Sequence, residues 1–232
     1  MSAFPRIFRA TNWKYAVGEI ALVFVGITLA LLANSWYEDS KNRKEEREIL
    51  RQLVSGLEAD VDALQAARAT IEEKVRLMTQ LEAHIRDNLP YSSDLDVSFK
   101  SILAGASARM NTTAFETLKF RGIDLVSSAE LRSQLVDYYD TEKNLLEKRI
   151  SYDRGNQYSA EPYFKKNFRW ESDALLMTPI DYDSLKIDQE FLNILAVRIW
   201  SLRNLAVPTY ARIVDKAERL VSAVQDHLDS MD

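Results

Sequence analysis

A stretch near the start of the chain, Tyr15 to Trp36, reads YAVGEIALVFVGITLALLANSW and carries a single charge, Glu19. Its 22 residues, at about 1.5 Å each, make a helix of roughly 33 Å, enough to cross a bilayer core of about 30 Å. Everything that follows it is therefore read as tethered to a lipid bilayer. Ala33-Asn34-Ser35 loosely fits a small-x-small cleavage site, and Arg6, Arg9 and Lys14 form a basic, acid-free leader. The apolar run is nevertheless longer than the roughly 7–15 residues usual in a cleaved signal, so it is expected to be a retained signal-anchor.

Orientation rests on two opposed signals. Lys and Arg are fewer in the leader than between Glu38 and Arg51, which weighs slightly against a cytoplasmic N-terminus. A short, acid-free leader favours one, and long domains translocate with little regard to flanking charge. The expected arrangement is single-pass, with the N-terminus cytoplasmic and the large C-terminal part translocated.

Gly18, Glu19, Gly26, Ala30 and Ala33 fall on one side of this helix at 100° per residue. Gly26 and Ala30 form a small-xxx-small pair, while Leu22 interrupts the ladder between Gly18 and Gly26. Small residues let a second helix approach closely, which makes these five positions the helix–helix interface candidates. Gly and Ala are also simply common in membrane helices, so the stripe has two readings. Glu19 has three: an interfacial charge that snorkels, a polar contact between helices, or part of an ion path. Trp13 and Tyr15 at one end, and Trp36 and Tyr37 at the other, are ordinary interfacial aromatics.

Composition narrows the remainder. The net charge is −5, and no basic stripe offers a nucleic-acid footprint, so no nucleic-acid partner is expected. Cysteine is absent, which excludes disulfides, thiolate metal sites and a Cys nucleophile. Only 6 Gly and 5 Pro occur in 232 residues, a balance that favours helices.

The run Tyr15-Ala16-Val17-Gly18-Glu19-Ile20, with Leu22-Val23, Gly26-Ile27, Ala30-Leu31, Asn34 and Trp36, resembles the N-terminal signature of a bacterial family of uncharacterised single-span membrane proteins. A second block, Thr113-Ala114-Phe115-Glu116-Thr117-Leu118-Lys119 with Gly122, then Leu131-Arg132 and Tyr138-Tyr139, looks like that family's second conserved stretch. Phe24-Val25 and Thr28 stand where the pattern has Val or Ile. The resemblance implies a retained anchor in a bacterial inner membrane and a mostly helical periplasmic domain, and it implies no activity.

Past Tyr37 the sequence turns to mixed charge without Gly or Pro until Gly56, which suits a solvated helix with pairs such as Asp39–Arg43 and Lys44–Glu48. From Leu50, apolar residues recur at 50, 54, 57, 61, 64, 71, 75, 78 and 85, broken by Arg68 and Glu82. That is a heptad seam, and it fits either an intermolecular coiled coil or packing inside a bundle. Leu53, Ala67, Leu77 and Leu81 widen it, which favours the bundle. Asn88-Leu89-Pro90 ends it.

Two shorter helices are expected next, one from Ser93 or Asp94 to about Ala108 and one from Thr112 or Thr113 to Gly122. Ser127-Ser128-Ala129-Glu130 opens a longer helix through Ile150. Tyr152, Tyr158, Tyr163, Phe164, Phe168 and Trp170 then crowd around Pro162, as core, partner interface or ligand pocket. A last helical region runs from Ile187 to Leu228, kinked or split by Pro208. The chain thus reads as an all-α protein: a basic leader (1–14), a transmembrane helix (15–37), a long charged and heptad-patterned helix (38–88) and the remainder of a helical bundle (89–232).

Motifs of catalysis are missing from the sequence. His84 and His227 lack ligand-spaced companions and lie near predicted helix ends, where a charged or capping role fits better than metal binding. The run Asp181 to Asp188 starts like a calcium loop but has Lys186 where Gly is required and Leu192 where Glu is required; capping by Asp183 or Ser184 accounts for it better. No phosphate loop, nucleophile elbow or zinc-protease motif occurs. The sequence predicts no catalytic residues, no metal and no cofactor, and it is read as a non-enzyme. Its leading reading is a membrane-anchored structural or interaction protein that forms a homo-oligomer or docks onto another membrane protein. An extracytoplasmic sensing or ligand-binding module around Tyr152–Trp170, and an oligomeric pore with Glu19 facing water, are the alternatives.

Overall fold

The computed structural model describes residues 13–171 and 176–231, with side chains from Val17 onward, so Trp13 and Tyr15 lie outside the described side chains. The chain forms two compact units, one ending at Glu48 and one beginning at Ile49. The boundary between them falls within one helix, α1 (Trp13–Arg86). The fold is all-α with one small hairpin: α2 (Asp96–Leu103), α3 (Thr113–Arg121), α4 (Ala129–Val136), α5 (Lys143–Asn167), β1 (Phe168–Glu171), β2 (Leu176–Pro179), α6 (Tyr182–Leu185), α7 (Gln189–Ser201) and α8 (Val207–Ser230).

In the first unit, every described side chain from Val17 to Lys44 is exposed. Its 18-residue apolar window has a mean hydropathy of 2.0 and no buried residue. Among the described residues this is the one helix long and apolar enough to cross a membrane.

In the second unit, α1 is the central core element. Its buried stripe is Leu50, Leu53, Leu57, Asp60, Leu64, Ala67, Ile71, Lys74, Met78, Leu81 and Ile85, alternating by three and four without a break. One row of the expected seam, at 50, 57, 64, 71, 78 and 85, is therefore right. Its partner row is not 54, 61 and 75, which are only half-buried, but 53, 60, 67, 74 and 81. Leu53, Ala67 and Leu81 of that row are among the residues read as widening the seam, and Asp60 and Lys74 complete it. The stripe packs into the chain's own core, as the bundle reading of the seam expects.

The later elements follow local chemistry with four departures. The helix expected to reach Ala108 ends at Leu103, where Ala104 turns extended (φ −70°, ψ 131°) and Gly105 follows. Ser128 caps α4 by accepting from the Leu131 N–H, as read, and Gly122 ends α3 at φ 108°, a conformation that favours glycine. Asp181 and Asp188, not Asp183 or Ser184, cap α6 and α7 through their carboxylates, because they occupy the extended position just before each helix. The helix opened by Ser128 passes through a π-helical turn at Asp137–Glu142 into α5, and Pro162 does not stop it. Pro162 is exposed, and the carbonyl it leaves free belongs to the exposed Tyr158. Pro208 does split the last region: α7 gives way to a π-helical turn at Leu202–Ala206, and Pro208 enters in the first turn of α8.

The aromatic-rich stretch divides between core and surface. Tyr163, Phe164 and Phe168 are buried with Phe99 and Phe191, with the Phe164 and Phe168 rings stacked at 4.6 Å. The unforeseen hairpin places Phe168 opposite Pro179 and Trp170 opposite Met177. Phe168 and Met177 are buried, so this face is held by apolar packing although each strand has only four residues.

Candidate functional site

Two features stand out, one in each unit. The first is the bare apolar helix. Gly18 and Gly26 are exposed, and a Cβ placed on either would meet nothing within 4 Å. Glu19, Ala30 and Ala33 are exposed as well, so the five interface candidates share a helix side that no described part of the chain covers. Polar side chains within the apolar run are mostly satisfied locally. Thr28 donates to the Phe24 carbonyl at 2.9 Å and Asn34 to the Glu38 carboxylate at 3.1 Å. Glu19 has no partner among the described residues.

The second feature is an irregular segment, residues 104–112, strapped along α1 by the two charges of the buried stripe. At one end the Lys74 ammonium donates to the carbonyls of Ala104 (3.0 Å) and Gly105 (2.6 Å). At the other the Asp60 carboxylate accepts from the Asn111 N–H at 2.5 Å and from the Tyr138 hydroxyl at 3.1 Å. Lys74 lies fourteen helical steps after Asp60, about 21 Å along the axis. Six steps of extended chain from Gly105 to Asn111 cover about 20 Å. The lengths match, so the two charges of α1 hold the segment at both ends, through the Ala104 and Gly105 carbonyls and the Asn111 N–H.

Burial dominates the electrostatics here. It pushes the Asp60 carboxyl up from 3.8 to about 6, against the two hydrogen bonds that favour the charged form. It pulls the Lys74 ammonium down from 10.5 to about 8, with nearby Asp153 opposing and Arg198 reinforcing. Burial, with the Asp60 charge, raises the hydroxyls of Tyr138 and Tyr139 far above their ordinary value. Neighbouring buried charges form ion pairs. Arg198, 1 % exposed, donates to the Ile102 carbonyl (2.9 Å) and to Asp153 (2.5 Å). Glu142, fully buried at the π-helical turn, meets Arg212 (2.7 Å) and Lys216 (2.5 Å) from α8.

The strap borders two surface grooves. One, of about 340 Å³, is lined by Lys100, Leu103, Ala104, Gln157, Tyr158, Glu161, Trp170 and Met177. The other, of about 440 Å³, lies against Ala108, Arg109, Met110, Lys143 and Leu146, among others. Tyr158 and Trp170 from the aromatic stretch thus line a groove, while Tyr152 is exposed outside it.

The histidines are structural in setting. His84 sits 2.8 Å from the Pro90 carbonyl, and His227 sits 3.3 Å from the Ser127 hydroxyl. Among the described residues no group of three His, Cys, Asp or Glu is arranged to hold a metal ion. Sequence reasoning overlooked Asp60 and Lys74. Their signal was present: each lies three residues after and four before an apolar seam position, on the same helical face. Comparison with protein-family models, curated proteins and solved structures finds no match.

Proposed function

We propose that this chain is a membrane-anchored structural or interaction protein, single-pass in a bacterial inner membrane, with its helical domain on the periplasmic side. The observation that carries this is the complete exposure of an apolar helix of spanning length. A helix apolar all round belongs in hydrocarbon. Among the described residues, Glu19 is the polar group left unmatched on the small-residue side. A carboxylate in that position usually finds a partner, and the close approach allowed by Gly26 and Ala30 supplies a second helix to provide one. The partner is a second copy of the chain or another single helix of a membrane complex. The N-terminal sequence resemblance points the same way. The α1 seam takes no part in this association, since its stripe is already buried in the chain's own core.

The test is the intact mass of the protein extracted in mild detergent, for the wild type and for Gly26→Leu. The expected result is an assembly heavier than the 26.6 kDa chain, shifted toward monomer by the substitution. A strictly monomeric wild type with no companion contradicts the proposal. An assembly indifferent to both Gly26→Leu and Glu19→Gln removes this helix side from it.

A further inference from the structure

The groove of about 340 Å³ beside the strap has the construction of a ligand site. Its walls are apolar: Leu103 and Ala104 from the end of α2, Tyr158 from α5, and Trp170 and Met177 from the hairpin. Trp170 and Met177 are cross-strand partners, so their side chains share one face of the hairpin. The Trp170 indole N–H points to the Phe164 carbonyl at 3.4 Å, which orients the ring.

The floor is held rigid from behind. Lys74 takes the carbonyls of Ala104 and Gly105, and Arg198 takes that of Ile102. Asp153, which pairs with Arg198, also accepts from the groove residue Gln157 at 2.6 Å. These contacts hold the floor carbonyls of Ile102, Ala104 and Gly105 in place before any ligand arrives.

Charge is left over. Glu161 is neutralised by Lys165 at 2.6 Å. The ammonium of Lys100, which is half-buried on the groove wall, has no ion pair or hydrogen bond among the described residues. Behind the floor, two cations, Lys74 and Arg198, face one carboxylate, Asp153. Asp96 lies one helical turn before Lys100, and no ion pair joins the two. Asp96 is occupied by the Tyr91 and Thr178 hydroxyls, and Thr178 and Glu171 project from the hairpin face opposite Trp170 and Met177. Among the described residues, the groove is mostly apolar with one ammonium, that of Lys100, without a carboxylate partner.

We infer that this groove binds a small amphipathic anion, its carboxylate on Lys100 and its apolar body against Leu103, Tyr158, Trp170 and Met177. An ammonium–carboxylate contact at the edge of a partly desolvated groove gives selectivity for the charged form. The apolar wall gives affinity that a neutral analogue shares. The site is independent of the proposed association through the apolar helix.

The probe is 4-phenylbutanoate, compared with its neutral amide, on the full chain in nanodiscs of zwitterionic phospholipid. Methyl-labelled methionines report where it binds: Met177 lines this groove, Met110 lines the other, and Met78 is deep in the core. The expected result is a saturable shift of the Met177 methyl, with the carboxylate binding about tenfold tighter than the amide. Lys100→Gln should weaken the carboxylate about tenfold and leave the amide unchanged, while Lys100→Arg retains the preference. An unmoved Met78 resonance verifies that each variant is folded. Equal binding of acid and amide, a response at Met110 instead of Met177, or no saturable response in the wild type overturns the inference.

Discussion

Asp60 offers the sharpest test of how the strap is held. Its carboxyl is 1 % exposed, and burial moves it from 3.8 to about 6. A folded-state value above the unfolded one means that the folded chain holds the proton more tightly. The stabilisation this gives is fully present below pH 3.8 and is lost as pH rises through about 6. At about 1.4 kcal/mol per pH unit, the interval corresponds to a change of about 3 kcal/mol in unfolding free energy. Asp60→Asn removes the charge while keeping an oxygen to accept from the Asn111 N–H. Urea unfolding of the full chain in nanodiscs, followed by near-ultraviolet circular dichroism at a series of pH values, isolates the effect. Common titrations cancel in the difference between wild type and variant. Relative to Asp60→Asn, the wild type should lose about 3 kcal/mol between pH 3.5 and pH 7. A flat difference, or one of opposite slope, refutes a buried carboxylate strained by desolvation.

Lys74 carries the complementary expectation. Its folded-state value, lowered to about 8 from 10.5, makes the wild type gain up to about 3 kcal/mol relative to Lys74→Met as pH rises from 8 to 10.5 in the same assay. Leu57→Ala opens a cavity at a fully buried seam position and should cost about 3 kcal/mol; a cost under about 1 kcal/mol would mean the stripe is not core. Gly122→Ala forces a side chain onto φ 108° and should cost at least about 1 kcal/mol, read as a lower urea midpoint with an unchanged slope.

What the sequence made legible follows from which interactions are local. The apolar helix is a property of one uninterrupted segment, and its small-residue side is set by helical geometry alone. Ser128 and Gly122 acted where they were read because caps depend on a few adjacent residues. Asp60 and Lys74 were overlooked because their partners, Asn111, Tyr138, Ala104 and Gly105, lie 30 to 78 residues away. A charge without a visible partner looks like a surface residue, so the second row of the seam was seen only at its apolar members. The same distance effect concealed the strap, whose backbone groups bond to α1, and the hairpin, whose short strands depend on packing of Phe168 and Met177. The groove draws on α2, α5 and the hairpin, so no single stretch announces it.

The central claim, that the exposed apolar helix lies in a bilayer, has a direct measurement. The chain has no cysteine of its own, so single cysteines can be placed at Val23, Phe24, Val25 and Gly26, which together sample all faces of the helix, and at Ser40 and Asn42 beyond it. Reaction of the full chain in native membranes with a hydrophilic maleimide is then followed position by position. Spanning predicts protection at all four inner positions and ready labelling at Ser40→Cys and Asn42→Cys. Labelling on one helical face, as for a helix lying at the surface, or labelling throughout would contradict it.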